Sequence, residues 1–553
     1  MQATRGRRRT AWLSLGLLAA ALLALGSGLA LGLGRPPAGD GTPAALPAPR
    51  FVEEAIAAGL VHAYEGGFDY YVGGGVAVLD CDDDGLPDAY IAGGSAPAGL
   101  FRNQSAPGGT LRFERLADAA SELTGVIGAY PLDIDGDGRL DLAVLRRGEN
   151  VLLRGLGGCR FERANEDWGF DGGDAWTTAF SATWEAAAAW PTLAFGDYLD
   201  ESSTNSERLC SDNRLYRPRT EGGYGAPITL SPGWCPLSMV FSEWDRSGRR
   251  DLRVSNDRHY YSDYSAGEEQ LWRVRPAEKP RLYTADDGWQ TVRIWGMGIA
   301  SHDVDGDGYP DYYLTSQGDN KLQVLSEGAA DAQPMRPDYR DIGLAMGVTA
   351  HKPFAGGESL PSTAWHTEFA DVNNDGLMDL FVAKGNVEAQ LGYATRDPNN
   401  LLIGQLDGTF AEGAEAAGIV HFARTRGAAL ADFNADGLLD LLEVNRVDNV
   451  TLWRNVGTGT ADTPWMLGNW LAVDLRQAGA NPQAVGAWVQ VRLGERLIER
   501  EVVVGGGHAG GQAGPLHFGL GGAASAEVRV IWPDGTHGEW QGVEANQRLE
   551  VRR

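Results

Sequence analysis

Short apolar runs along this chain recur in one order: a small apolar stretch, an acidic turn, then a second apolar stretch. Gly73-Gly-Gly-Val-Ala-Val-Leu79 leads into one such turn and Gly427-Ala-Ala-Leu-Ala431 into another, while Asp141-Leu-Ala-Val, Asp311-Tyr-Tyr-Leu and Asp379-Leu-Phe-Val lead out. Short runs bounded by turn residues predict strands, so each acidic turn joins two of them. A third pattern closes each unit: an aromatic residue followed by polar and small ones, as in Phe113-Glu-Arg-Leu, Phe161-Glu-Arg-Ala, Tyr339-Arg-Asp-Ile and Phe410-Ala-Glu-Gly.

The acidic turns begin at 80, 133, 303, 371 and 432, and the gap from 133 to 303 is about three times the other spacings. Two degenerate units fill it, one at Glu243–Asp251 and one placed at Asp197, after Thr192-Leu-Ala-Phe-Gly. Seven units, each long enough for about four strands, predict an all-β fold built on a seven-bladed β-propeller over residues 51–458. Phe51-Val-Glu-Glu-Ala-Ile has the closing pattern with no unit before it, and the unit after Asp440 lacks one. The N-terminal stretch is therefore expected to complete the seventh blade, which removes free sheet edges. From Asn469 onward longer alternating runs appear, such as Gly486-Ala-Trp-Val-Gln-Val-Arg-Leu and Glu527-Val-Arg-Val-Ile-Trp. They predict a separate, small β-sandwich-like domain over 469–553.

Arg5, Arg7, Arg8 and Arg9 precede an apolar run from Ala11 to about Gly34. Residues 1–34 read as a signal peptide or an uncleaved N-terminal membrane anchor, so the rest is expected to be exported, as a periplasmic, secreted or anchored protein. Residues 35–50, rich in Pro, Ala and Gly, read as a linker. Lys and Arg number 47 against 74 Asp and Glu, a formal charge of −27. No basic stripe is present to meet phosphates, which argues against nucleic acid as a partner.

Much of the acidity is concentrated in the turns. Asp303, Asp305, Asp307 and Asp311 occupy positions 1, 3, 5 and 9 of one loop, with Gly308 at position 6. Asp80, Asp82, Asp84 and Asp88 repeat the pattern, as do Asp133, Asp135, Asp137 and Asp141. Two copies place Asn at position 3: Asp371, Asn373, Asp375, Asp379, and Asp432, Asn434, Asp436, Asp440. A hard divalent cation takes six to eight oxygens at roughly 2.3–2.6 Å, and closely spaced acids on a tight turn supply them. Position 7 would add a backbone carbonyl, from Leu86, Arg139, Tyr309, Leu377 and Leu438. About five Ca²⁺ sites are expected. An EF-hand is excluded, because position 12 is Ile91, Val144, Leu314, Val382 and Glu443, so only one loop has the required Glu. The loop at 243 keeps the frame, but Ser247 replaces an acid and Arg246, Arg249 and Arg250 crowd it. There a guanidinium can neutralise the remaining carboxylates, which makes 243–251 the weak sixth case; the unit at 197 has lost its glycine and ninth acid.

In an exported chain disulfides persist. Cys210 and Cys235 flank one loop-rich segment and are expected to pair; Cys81 and Cys159 stay unassigned.

The acidic repeats resemble FG-GAP/VCBS repeats, the propeller blades of integrin α-chains and many bacterial surface proteins. The tail, with Gly505-Gly-Gly-His-Ala-Gly-Gly-Gln512, His517-Phe-Gly-Leu-Gly521 and Val530-Ile-Trp-Pro-Asp-Gly535, resembles the ASPIC/UnbV domain. Together they are similar to the cartilage acidic protein family and its bacterial relatives. The resemblance implies architecture without naming a ligand.

Other chemistry finds less support. Gly505-Gly-Gly507-His-Ala-Gly510 matches a dinucleotide fingerprint, but that motif needs a helix on its third glycine, and residues 511–522 hold five Gly and a Pro. No HExxH and no Gly-x-Ser-x-Gly elbow occur. Asp257-Arg-His-Tyr-Tyr261 is a polar–aromatic cluster suited to a ligand cleft, and the 17 Trp offer stacking platforms. The expected function is an exported calcium-binding propeller that acts as a binding or adhesion module for a protein or glycan, not an enzyme. The alternative is a glycan-active enzyme with its site in the propeller funnel or at the domain junction.

Overall fold

The computed structural model describes residues 45–186, 188–200, 209–258 and 267–553. The segment read as a signal or anchor lies outside them, as do His259, Tyr260 and Tyr261. Seven antiparallel four-stranded units follow one another, beginning with Val76–Leu79, Asp88–Ile91, Gly99–Asn103 and Phe113–Leu116 in blade 1. The first two strands of each blade are buried almost throughout, because neighbouring blades cover both faces; this is why they read as apolar runs rather than alternating ones. The innermost strands stand side by side around an axis, and that of blade 7 (Arg424–Ala431) lies against that of blade 1.

Closure follows the expected route. Strand Phe51–Glu53 pairs antiparallel with Thr451–Asn455, Phe51 opposite Asn455 and Glu53 opposite Trp453, and supplies the outer strand of blade 7. The closing segments of blades 5, 6 and 7 each run on into a single helical turn, at Gly343–Met346, Ala414–Ala417 and Ala55–Ala58. Gly347, Gly418 and Gly59 end these turns at φ of 78°, 80° and 89°, a left-handed cap that a side chain would strain.

Two expectations need correction, and one open question is answered. The hairpin loop of blade 3 is 184–191, not the stretch after Asp197: Thr192–Asp197 is the second strand, with Thr183 opposite Thr192. Glu185 is the only acid left in that loop, so no acidic pattern marked its place. Residues 45–50 are packed chain rather than linker. Leu46 N–H donates to Asp375 Oδ2 (2.9 Å), and Arg50 exchanges backbone hydrogen bonds with Val456 and Gly457. Finally, Cys81 and Cys159 are not free; they form a disulfide between blades 1 and 2, beside the expected Cys210–Cys235 bond.

The C-terminal domain packs a three-stranded sheet (Leu516–Gly521, Asn469–Arg476, Gln547–Arg552) against a four-stranded one (Arg496–Glu501, Trp488–Leu493, Ser525–Ile531, Gln541–Glu544). From it the glycine-rich arm 504–513 enters the propeller axis. Val504, Gly505, Gly507 and Gly510 bridge to the inner strands of blades 3, 4, 5 and 2, at Ala182, Val240, Ile299 and Ala129. Gly511–Ala513 then adds a parallel strand to blade 1. Glycine is needed where the arm touches the ring: a Cβ on Gly510 would lie 2.2 Å from the Val76 carbonyl oxygen.

Candidate metal centres

Sheet register places the ninth acid of every acidic loop. The residue before each loop pairs with the ninth: Leu79 with Asp88, Leu132 with Asp141, His302 with Asp311, Ala370 with Asp379, Ala431 with Asp440. Its carboxylate accepts the N–H of position 2, from Cys81 (2.8 Å), Ile134 (2.7 Å), Val304 (2.8 Å), Val372 (2.9 Å) and Phe433 (3.1 Å). The first acid accepts the N–H of the position-6 glycine at 2.7–2.9 Å in all five loops. Those glycines, Gly85, Gly138, Gly308, Gly376 and Gly437, have φ between 84° and 90°, and this lets the loop turn back over its own acids.

The result is convergence. Carboxylate oxygens of Asp80, Asp82 and Asp88 lie within 4.8 Å of one another, as do those of Asp133, Asp135 and Asp141, and of Asp303, Asp305 and Asp311. Position 5 stands apart from these triplets: Asp84, Asp137 and Asp307 accept the N–H of Leu86, Arg139 and Tyr309. Asp375 and Asp436 do the same for Leu377 and Leu438.

Blades 6 and 7 explain their Asn. Asn373 donates its amide to the Leu46 carbonyl (3.1 Å) and Asn434 to that of Gly109 (2.7 Å), tying each loop to a distant stretch of chain. A carboxylate has no proton to give there. Glu443, at position 12, turns away to His421 (2.8 Å) and Trp453 (2.9 Å).

Burial dominates the electrostatics, and neighbouring carboxylates add to it. Asp133 and Asp303 are pushed up to about 6, Asp88 and Asp432 to about 7, and Asp311 to about 8. Asp141, Asp371, Asp379 and Asp440 lie well above the ordinary carboxylate range for the same reasons. Among the described residues, Asp82 Oδ1, Asp311 Oδ1 and Asn434 Oδ1 are buried acceptors with no hydrogen-bond partner. Orphaned oxygens beside crowded, desolvated acids fit a hard divalent cation.

Blade 4 meets the same need differently. Its ninth acid, Asp251, takes the guanidinium of Arg275, the Trp244 indole N–H (2.9 Å), the Tyr283 hydroxyl (2.8 Å) and the Val274 N–H (3.0 Å). Arg275 lies beyond the loop in sequence, so the arginines within it did not reveal it. Arg246 and Arg250 reach the C-terminal domain, and Arg250 also stays 3.7 Å from the loop's first acid, Glu243. Arg246 pairs with Glu499 (2.8 Å) and stacks on Trp488 (3.7 Å), and Arg250 lies 3.6 Å from Glu501. In blade 3, Arg217 holds Glu185 (2.7 Å) and Arg214 holds Asp197 (2.6 Å).

At the axis the arm carries His508, fully buried. Its Nε2 accepts the Gly73 N–H (3.1 Å), its Nδ1–H donates to Leu237 O (3.2 Å), and its backbone N–H donates to His366 Nδ1 (3.1 Å). Burial, with Arg426 and His366 nearby, lowers its imidazole to about 3, so it stays neutral. His302, beside Asp303, is also lowered to about 3 by burial and packs 5.7 Å from Phe369, the role of a structural residue.

A family model for FG-GAP-like repeats matches residues 80–144 and 371–443, and one for ASPIC and UnbV matches residues 477–553. The chain carries FG-GAP-like repeats and ends in an ASPIC/UnbV domain. No curated protein matches it. Solved structures with a likeness include the complex of BBS1N with ARL6DN soaked with lead, at 11% identity and a TM-score of 0.41 over 76% of this chain and 100% of that one. An Agrocybe aegerita lectin that recognises non-reducing terminal N-acetylglucosamine gives 14% and 0.39, over 70% and 92%. AofleA from Arthrobotrys oligospora gives 11% and 0.34, over 63% and 86%. The matched repeats fall in blades 1, 2, 6 and 7, and the matched C-terminal stretch supplies most of the sandwich and the arm.

Proposed function

We propose that the chain is an exported, calcium-stabilised binding module whose propeller presents a site for an extracellular protein or glycan. The observation that carries the reading is the convergence of the first, third and ninth acids at the triplets of blades 1, 2 and 5. In each of the five loops the cation would take those side chains, the fifth-position carboxylate and the seventh-position carbonyl. Two disulfides support an oxidising compartment. Among the described residues no helix is long and apolar enough to cross a membrane. A ligand that binds only the folded state stabilises it by about 2.7 kcal/mol at a hundred times its Kd. Melting in millimolar Ca²⁺ should therefore occur well above melting in chelator; coincident melts would remove the calcium reading.

One observation favours the enzymatic alternative. Asp257 and Glu388 line one cavity in the propeller, and their environments push them apart. Burial raises Asp257 to about 7, whereas Arg446 and Arg424 hold Glu388 below its ordinary value against the opposing effect of burial. Opposed carboxyls of this kind serve as acid and base in glycoside hydrolysis. A panel of chromogenic glycosides, read against Asp257→Asn, tests it: turnover abolished by the substitution supports the enzyme, and no turnover removes it.

A further inference from the structure

The arm closes the axis from the ASPIC/UnbV side, and the propeller holds a second recess beyond it. His508 backs Trp365 at 5.2 Å, and Trp365 lines a cavity of about 420 Å³ together with Phe68, Tyr71, Trp176, Tyr198 and Asp257. These residues come from the segment before blade 1 and from blades 3, 4 and 6, so only the closed ring assembles them.

The rings form a connected wall. Phe68 stands edge-on to Tyr71 and to Trp176, both at 5.7 Å, and Trp176 stands edge-on to Tyr198 at 5.0 Å. Guanidinium groups already occupy ring faces: Arg426 sits over Trp365 (4.0 Å), Arg446 over Tyr71 (4.7 Å) and Arg147 over Trp176 (5.8 Å). Polar groups are few and fixed. Asp257 accepts the Tyr198 hydroxyl at 2.5 Å, and its N–H is held by the carbonyl of disulfide-bonded Cys235 (2.9 Å). Gln317 donates to Gln390 across the wall (2.8 Å). The Trp176 indole N–H is buried without a partner among the described residues.

This inventory selects a ligand class. A quaternary ammonium is held by several ring faces at once, and three of the five rings, Tyr71, Trp176 and Trp365, already carry a guanidinium. An anion would meet the Asp257 carboxyl and a Glu388 whose two arginines are already paired with it. A purely apolar ligand would leave the buried Trp176 indole N–H without exchange for water. A sugar ring offers an apolar C–H face to aromatic walls and hydroxyls to a carboxyl and amides, and the volume falls within the usual range for a small-ligand pocket. We infer that this aromatic cup binds a neutral carbohydrate of one or two pyranose rings, with Phe68 as the stacking wall and Asp257 as hydroxyl acceptor.

The inference rests on the binding-module reading and deepens it. Its test titrates the full exported chain, in Ca²⁺, with methyl glycosides of neutral hexoses and N-acetylhexosamines and with their β-1,4 disaccharides. Choline and N-acetylneuraminic acid serve as the charged comparators, and calorimetry and tryptophan fluorescence are the readouts. At least one neutral saccharide should bind, and neither comparator should. Phe68 is 47% exposed, so Phe68→Ala should leave melting unchanged and weaken the saccharide about tenfold or more. Asp257→Asn, which keeps the shape, should weaken it as well. Failure of every neutral saccharide at millimolar concentration, preference for choline or sialate, or binding indifferent to both substitutions would each overturn the cup. Melting with and without Ca²⁺ on the same sample separates the two readings, since a calcium shift without saccharide binding removes the cup alone.

Discussion

Blades 4 and 5 stand side by side and close their first hairpins in the same register, Ser242 opposite Asp251 and His302 opposite Asp311. In both, a glycine in the left-handed region, Gly248 or Gly308, turns its N–H onto the first acid. They differ in what neutralises the ninth. Asp251 is surrounded by donors of its own chain, led by Arg275, whereas Asp311 keeps a buried oxygen without a partner and is pushed up to about 8. The loop frame therefore belongs to the sheet and the glycine, and the positive charge is an exchangeable part. Where the chain supplies that charge, the loop's arginines reach further: Arg246 grips Glu499, and Arg250 lies between Glu501 and the loop's own Glu243, which ties the C-terminal domain to blade 4.

The sharpest way to break this comparison is to remove the resident cation. Arg275→Met leaves Asp251 buried and uncompensated, which should cost about 3–5 kcal/mol in urea unfolding. Added Ca²⁺ should not restore it; full restoration would make blade 4 a metal blade after all. Asp440→Asn attacks one of the loops proposed to hold calcium instead. It should remove most of one site's contribution, about 2–3 kcal/mol in saturating Ca²⁺. In chelator its effect should be much smaller, because the crowded carboxylate is itself unfavourable there. Equal losses in both conditions would mean that the loop holds no ion.

pH tests the same acids from another side. In chelator, Asp133, Asp303, Asp88, Asp432 and Asp311 bind protons more tightly folded than unfolded, with folded values of about 6 to 8 against an ordinary 3.8. Stability should then be greatest below about pH 4 and fall as pH rises toward 8, since the folded state must give up protons the unfolded chain has already lost. Saturating Ca²⁺ should flatten this slope. A chelated protein that gained stability over the same range would show that the acids are not desolvated as described.

The five loops and the blade count were legible because their determinants are local: alternating acids, one glycine and the strands on either side. Closure by Phe51 was legible because its pattern had no blade of its own. What escaped depended on distant partners. Arg275 reaches Asp251 from beyond the next strand, and Cys81 and Cys159, 78 residues apart, sit on different blades. The blade 3 loop kept only Glu185, and the Phe-Gly-Asp of its second strand imitated a loop start. The tract Gly505-Gly-Gly-His-Ala-Gly-Gly showed no partner in the sequence, since its partners lie on separate blades that meet only at the axis. Of the Asp257–Tyr261 cluster, Asp257 does line a cavity, as its chemistry suggested.

The central claim is that calcium holds five loops and arginine the other two, and loop-resolved hydrogen exchange tests it most directly. On chelation, amides of 80–88, 133–141, 303–311, 371–379 and 432–440 should lose protection, while 184–192 and 243–251 keep theirs. Uniform loss across all seven loops, or no loss at the five, would contradict it.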